Sequence, residues 1–295
     1  MTFSKNISSN ILGVILMIFG LTCSTFSDTF IKDLVQIYPV SETTFIRSVI
    51  RFLITFLIII SFKPSLLIPN NIKMHLIRAM FSVATIISFS YAYKFNYMSE
   101  VTAISYSSVI FIIIFSTIFL KETPSIKIYF AVITGIIGVI IAVSPSSTRI
   151  FSIYSILPLL GAILAALNRV TTKKLTFSNS PITIALYSSA IIIIFTSFSC
   201  NEWIALQNHE HILKFFLMGA LSVISQFSII YAIKSSTSVF LAPCDYFTFV
   251  LVILIDHFRW DHNVEVNVLI GALIIISSNL SIIFLEYLKS KTMHK

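Results

Sequence analysis

Residues 101–120 read VTAISYSSVIFIIIFSTIFL, a run without a single charged side chain. About 20 mainly apolar residues are enough for an α-helix to cross the hydrocarbon core of a bilayer. Within this run, positions 111–115 are apolar without interruption, whereas a transmembrane β-strand would alternate polar and apolar residues. The stretch therefore predicts a membrane-spanning helix.

The same kind of segment recurs along the whole chain. Of its 295 residues, 57% are hydrophobic and 11% are charged, too few polar groups to cover a surface that faces water. The pattern predicts an all-α polytopic membrane protein with ten transmembrane helices. The predicted spans are about 10–31, 42–62, 74–94, 101–120, 126–143, 153–170, 182–200, 212–233, 237–256 and 264–286.

The two halves of the sequence resemble each other. A shift of about 140 residues lays Lys32 on Lys173, and YAYK at 91–94 on YAIK at 231–234. Five spans per half is an odd number, so the second copy begins on the opposite side of the membrane. We therefore predict two inverted five-helix repeats. The predicted domains are 1–146 and 150–288, followed by a short basic cytoplasmic tail at 289–295.

Charge placement predicts the topology. Twelve basic residues fall on the side of the N-terminus and five on the other side, so both termini are expected in the cytoplasm, with the protein in a bacterial inner membrane. Because these residues lie mostly at span ends, the net charge of +8 does not indicate nucleic-acid binding. We find no Gly-rich phosphate loop, no catalytic constellation and no metal-ligand spacing. Neither an enzyme nor a bound cofactor is expected.

Charged side chains within spans are the first candidates for a binding site, because they are costly there and tend to face a cavity or pair with one another. Asp28 and Arg47 have similar depth, and an ion pair or a ligand role fits them equally. Arg51 and Asp245 lie deepest, and Asp245 follows Pro243, which interrupts the helix. We predict Asp245 as the best substrate or proton site. The alternative is an Asp245–Arg51 pair that only fixes the fold.

Neutral polar groups within spans complete the predicted site. Tyr106 aligns with the deep carboxylate of the other half and lies beside Ser105, while Gln226 and Asn168 are isolated amides. Such groups either join helices or line a wet cavity. Arg169, near the end of its span, is expected to extend to the membrane surface. The predicted substrate-binding set is Asp245, Arg51, Arg47, Asp28, Tyr106, Ser105, Gln226 and Asn168.

Particular residues also suggest a family. The sequence FLKE at 119–122, followed by Gly135 and Gly138, resembles the drug/metabolite transporter superfamily and its EamA-type domain. That resemblance covers most of the chain. It implies a central cavity between the halves and transport by alternating access, with a lipid bilayer and a small-molecule substrate as partners. The driving force would be a coupling proton or an exchanged metabolite, and the oligomeric state is left open.

A narrower resemblance carries an expectation about the cargo. Four first-half residues and one dipeptide are similar to S-adenosylmethionine uptake transporters of obligate intracellular bacteria. These are Asp28, Lys32, Glu42, Arg47 and Ala242-Pro243. The sequence departs from that group at Asp245 and Thr248, where the group has an arginine and an acidic residue. S-adenosylmethionine uptake or exchange is the favoured function. The alternatives are export of amino acids or amphiphilic cations and, in another class, a membrane-embedded subunit without transport activity.

Overall fold

The computed structural model describes residues 7–62, 64–95, 101, 104–122, 126–143, 156–198 and 208–260, with isolated positions between 266 and 277. Within these residues the chain is helical and contains no strand. Six of the described helices are long and apolar enough to cross a membrane, and three more are apolar but shorter. Nine of the predicted spans are thus mainly helical where they are described. The tenth, at 264–286, lies almost entirely outside the described residues.

The helices begin and end at polar or proline-containing connections. Pro181 occupies the first turn of one helix, and Ser180 before it accepts a hydrogen bond from the Thr183 amide, which caps that helix.

The described helices fall into two sets, one in each half of the chain. In the first half, α1 is Ile7–Leu34, α2 Val40–Phe62, α3 Ile72–Phe95, α4 Ser107–Leu120 and α5 Ile126–Val143. In the second half, α6 is Ile156–Leu175, α7 Pro181–Ser197, α8 His209–Ser235, α9 Ser238–Leu241 and α10 Phe247–Trp260.

The ninth span is interrupted at its centre, as Pro243 predicted. A short 3₁₀ segment, Ala242–Tyr246, separates α9 from α10. Proline has no amide hydrogen, and its ring clashes with the carbonyl of the residue four positions earlier, so a regular α-helix cannot continue through it. The fourth span has a matching interruption, since Ile104 and Ser105 are helical, Tyr106 lies in a turn and α4 follows. The two interruptions occupy equivalent places in the repeats.

Helices of the two halves pack in a reciprocal pattern. α1 packs along α8 and α3 along α6, while α2 packs against α7. Under the repeat, α1 corresponds to α6 and α3 to α8, so the first two contacts are the same contact made twice. The bundle is therefore a single body in which each half covers the interior of the other, as expected for transporters built from repeats.

Glycines allow close approaches between the halves. A Cβ built on Gly219 of α8 would lie 2.4 Å from Cγ2 of Ile50 in α2, and one on Gly20 of α1 would lie 2.8 Å from Cγ1 of Ile229 in α8. Small residues at such contacts are typical of helix packing in membranes. Large apolar side chains elsewhere face outward, among them Phe198, which is 82% exposed. The protein is thus a multi-pass membrane protein with a lipid-facing exterior.

Candidate functional site

A cavity of about 400 Å³ lies between the two halves. Its walls come from α1, α2, α3, α4, α6 and α8, together with the interrupted ninth span. The volume is within the range of small-molecule binding sites, about 300–1,000 Å³. All eight residues of the predicted set lie on its wall, namely Asp28, Arg47, Arg51, Ser105, Tyr106, Asn168, Gln226 and Asp245. Whether they bind substrate stays a prediction.

Asp245 forms an ion pair with Arg169, with 2.5 Å between Oδ2 and Nη1. The 3₁₀ turn around Pro243 places the carboxylate toward α6. The prediction for Arg169 was wrong. Its side chain does not extend to the membrane surface, because the partly buried Asp245 carboxylate lies within its reach and the side chain is only 8% exposed. The alternative, an Asp245–Arg51 pair, is not formed among the described residues, where Asp245 pairs with Arg169 and Arg51 donates to Gln226.

Asp28 and Arg47 form the second ion pair of the cavity, joining α1 to α2. The Arg47 Nη2 atom lies 3.7 Å from Asp28 Oδ1, and Arg47 Nε donates a hydrogen bond of 2.6 Å to Ser222 Oγ in α8. The predicted pairing of these two residues is therefore present in the structure. Arg47 ties helices of both halves together at one edge of the cavity.

Arg51 is the middle residue of α2, one turn away from Arg47. Its side chain donates a hydrogen bond to Gln226 Oε1 in α8. An arginine at the centre of a transmembrane helix costs about 2.5–3.5 kcal/mol on insertion scales, so its presence calls for a polar surrounding. Gln226 supplies a neutral oxygen, and no carboxylate within the described part of the chain pairs with Arg51.

Arg78 was missed as a site residue. It was counted only among the twelve basic residues on the side of the N-terminus, yet it is the seventh residue of α3, is 5% exposed and lines the cavity. Its Nε donates a 2.7 Å hydrogen bond to Thr172 Oγ1 in α6. Its depth within the span, two turns from the helix start, is the signal that would have identified it.

Hydroxyl, amide and aromatic groups line the rest of the cavity. Tyr106 shares a 2.9 Å hydrogen bond between its hydroxyl and Thr248 Oγ1, which connects the interruption of the fourth span to the first turn of α10. Asn168 Nδ2 donates to Ser82 Oγ at 2.7 Å, linking α6 to α3. Further lining groups are the aromatic rings of Phe89 and Tyr93 and the hydroxyls of Ser24, Thr85 and Ser225.

The wall chemistry suits an organic ion better than a metal. Among the described residues no group of three or more His, Cys, Asp or Glu side chains is arranged to hold a metal ion. Fixed charges of both signs lie beside aromatic rings instead. Such a surface can bind the charged group of a metabolite at one place and its ring system at another.

Comparison with known proteins agrees with the fold. The profile of the EamA-like transporter family matches residues 11–144 and again residues 152–284. The chain belongs to this family, and it is a transporter of a small-molecule substrate rather than an enzyme. The two matches confirm that the domain occurs twice in the chain. The predicted domain limits, 1–146 and 150–288, stay predictions.

Several curated relatives carry transport names. The S-adenosylmethionine uptake transporter of Rickettsia bellii is 22% identical over 93% of this chain and 94% of its own length. The riboflavin transporter of Brucella anthropi is 24% identical over 80% of this chain and 85% of its own. The pseudopaline exporter of Pseudomonas aeruginosa is 24% identical over 61% of this chain, and the match spans only 63% of that exporter.

One solved crystal structure shares the overall fold. It superposes with a TM-score of 0.74, covers 93% of this chain and 96% of its own, and is 14% identical in sequence. At that identity the likeness concerns the fold alone. It agrees with the helical bundle described above.

Proposed function

We propose that this transporter is a secondary carrier of a small charged metabolite, working by alternating access through the cavity between its halves. The observation that carries the proposal is the cavity itself, enclosed by helices of both repeats and lined with four arginines and two aspartates. A site at the interface between repeats is the place where rocking of one half against the other exposes cargo to each side in turn.

S-adenosylmethionine is the first cargo to test. The relatives in Rickettsia that carry this name align over most of the chain. The cargo's carboxylate would bind Arg51, and its adenine ring and sulfonium group would lie against Phe89 and Tyr93, since cations and flat rings both bind aromatic faces. Asp245, which the sequence predicts as the best substrate or proton site, is a weaker candidate for the sulfonium contact because Arg169 already neutralises it.

The charge arrangement supports a carrier over a non-transporting subunit. A sealed interior in which every deep charge is paired would favour a subunit with a structural role. Here the described wall holds Arg51 and Arg78 with neutral partners only, around a cavity large enough for a metabolite. Burying such charges without a counter-charge is unfavourable in free energy. A bound cargo of opposite charge would offset this cost.

The proposal also includes the membrane in which the carrier lies, its driving force and the direction of transport. We place the protein in a bacterial inner membrane with both termini in the cytoplasm, because basic residues concentrate on that side. A proton gradient or an exchanged metabolite drives the carrier, since no phosphate-binding loop occurs in the sequence. Export of amino acids or amphiphilic cations is the alternative, and the exporter among the curated relatives is the reason to test it.

A substrate panel tests the proposal. Purified protein is reconstituted into liposomes, and uptake of labelled S-adenosylmethionine, riboflavin and amino acids is measured with and without an imposed pH gradient. We expect saturable uptake of S-adenosylmethionine above that of empty liposomes, and competition by unlabelled cargo. Uptake of none of the panel compounds in either gradient would overturn the carrier proposal. Preferred uptake of amino acids or cations would favour the alternative.

A further inference from the structure

The charges of the cavity do not balance. Its described wall contains four arginines and two aspartates. Each aspartate forms an ion pair with one arginine, Asp28 with Arg47 and Asp245 with Arg169. Two guanidinium groups, Arg51 and Arg78, therefore face the cavity without a carboxylate partner in the described part of the chain. Arginine keeps its charge at any physiological pH, so the wall carries a local excess of positive charge.

Both of these arginines are buried and have unused donors. Arg51 is 6% exposed and Arg78 is 5% exposed. Each donates to one neutral oxygen, that of Gln226 or of Thr172. The Arg51 Nε and Arg78 Nη1 atoms have no hydrogen-bond partner among the described residues. Buried polar atoms are nearly always satisfied in proteins, so these donors call for an acceptor such as a water molecule or a bound anion.

The two groups also line the same cavity, and Arg47 lies on its wall as well. Their mutual repulsion makes the empty cavity unfavourable and is relieved by an anion placed between them. Helices α2 and α3 supply the two guanidiniums, and α6 and α8 supply their neutral partners, so both halves hold this part of the site.

We propose that Arg51 and Arg78 form an oxyanion subsite that binds a carboxylate or phosphate group of the cargo. This inference rests on the proposed carrier function and specifies its cargo, which must present an oxyanion. A planar guanidinium donates two parallel hydrogen bonds to such a group, which fixes its orientation as well as its charge. In S-adenosylmethionine the group would be the carboxylate, so the decarboxylated analogue would bind poorly.

Anion-dependent thermal unfolding of the purified protein in detergent tests the subsite. Sodium phosphate or sodium succinate replaces sodium chloride at constant ionic strength, and the unfolding midpoint is recorded. We expect at least one oxyanion to raise the wild-type midpoint, because a ligand of the folded state stabilises it by mass action. The more effective anion identifies which group the cargo carries. No rise with either anion would overturn the proposal.

Matched variants localise the effect. Arg51→Gln and Arg78→Gln are expected to weaken oxyanion binding by about tenfold or more, since each removes a charge-assisted hydrogen bond. Arg259→Gln, in a surface pair with Asp33, should keep the wild-type response. An equal response in all three variants would overturn the proposal. If the glutamine variants do not fold, Arg51→Lys and Arg78→Lys replace them, and unchanged affinity in both would contradict a guanidinium subsite.

The subsite and the carrier function fail in different ways. If no panel compound is transported but the oxyanion response still depends on Arg51 and Arg78, the carrier proposal fails and the subsite stands. If a panel compound is transported equally well by wild type, Arg51→Gln and Arg78→Gln, the subsite fails and the carrier proposal stands.

Discussion

Asp245 and Arg169 meet across the centre of the second half, with 2.5 Å between the carboxylate Oδ2 and the guanidinium Nη1. Asp245 lies in the 3₁₀ segment that interrupts the ninth span, and Arg169 belongs to α6. The pair therefore fixes the interrupted span against a helix that packs on α3 and α4 of the other half. Both side chains also face the cavity, so the contact belongs to the site and to the fold.

Replacing one partner of the Asp245–Arg169 pair should destabilise the protein more than replacing both. Asp245→Asn leaves the Arg169 charge uncompensated, and Arg169→Gln does the same to Asp245, each at a cost of up to about 3–5 kcal/mol if the site were fully buried. We expect each single variant to lower the thermal unfolding midpoint in detergent, and the double variant to recover part of the loss. Additive losses in the double variant would contradict a direct pair.

Transport separates the structural and functional roles of Asp245. If the carboxylate takes part in cargo or proton movement, the double variant will regain stability without regaining uptake in proteoliposomes. Uptake by Asp245→Asn at the wild-type rate would show that the carboxylate has no role in transport. Asp33→Asn, which alters a pair near the membrane surface, is the matched control and should transport normally.

Neighbouring lysines on α6 should differ sharply in their effect on stability. Lys173 is 5% exposed, and its Nζ donates to the carbonyl of Ile233 at 2.5 Å and to that of Ser236, at the end of α8. Lysine at a helix C-terminus satisfies free carbonyls and complements the helix dipole. Lys173→Met should destabilise the protein by about 1–3 kcal/mol, the cost of buried acceptors left unpaired.

The control for this prediction is the next residue. Lys174 is exposed and lies over the Phe119 ring at 5.7 Å. Lys174→Met should change the thermal unfolding midpoint little, because an exposed cation over a ring contributes about 0.5–1 kcal/mol. Equal shifts in the two variants would contradict the special role of Lys173.

Close packing of α2 on α8 depends on Gly219. A methyl group there would lie 2.4 Å from Cγ2 and 2.7 Å from Cβ of Ile50, and a β-branched side chain in a helix has little freedom to move away. Gly219→Ala should therefore destabilise the bundle by about 1–3 kcal/mol. Gly161→Ala meets the Phe89 ring at 3.0 Å and should cost less, because the end of a side chain can shift. Thermal unfolding of both variants measures the difference.

The helices could be predicted because each depends on local sequence. Long apolar runs predicted the spans, and Pro243 predicted the interruption that the structure shows at 242–246. The structure extends α1 to Ile7–Leu34, beyond the predicted 10–31, since helices continue into the polar region of the bilayer. Lys32 and Lys173 identified the repeat, and the reciprocal packing of α1 with α8 and α3 with α6 agrees with it.

The composition of the cavity was predictable, but its pairing was not. Polar residues within apolar spans must avoid lipid. Their position deep in the spans was therefore enough to predict the eight residues that line one cavity. Which carboxylate meets which guanidinium depends on contacts between residues far apart, such as the 76 positions between Arg169 and Asp245. Arg169 was assigned to the membrane surface because it lies near the end of its span, and only its tertiary contact with Asp245 directs it inward.

Counterflow in proteoliposomes tests the carrier and its site together. Vesicles loaded with unlabelled cargo from the panel are diluted into a trace of labelled cargo. Wild type and Arg259→Gln should accumulate label transiently above equilibrium, which is characteristic of a carrier, and Arg51→Gln should accumulate at least about tenfold less because it loses a charge-assisted contact. Absence of counterflow in wild type, or equal counterflow in Arg51→Gln, would contradict transport through this cavity.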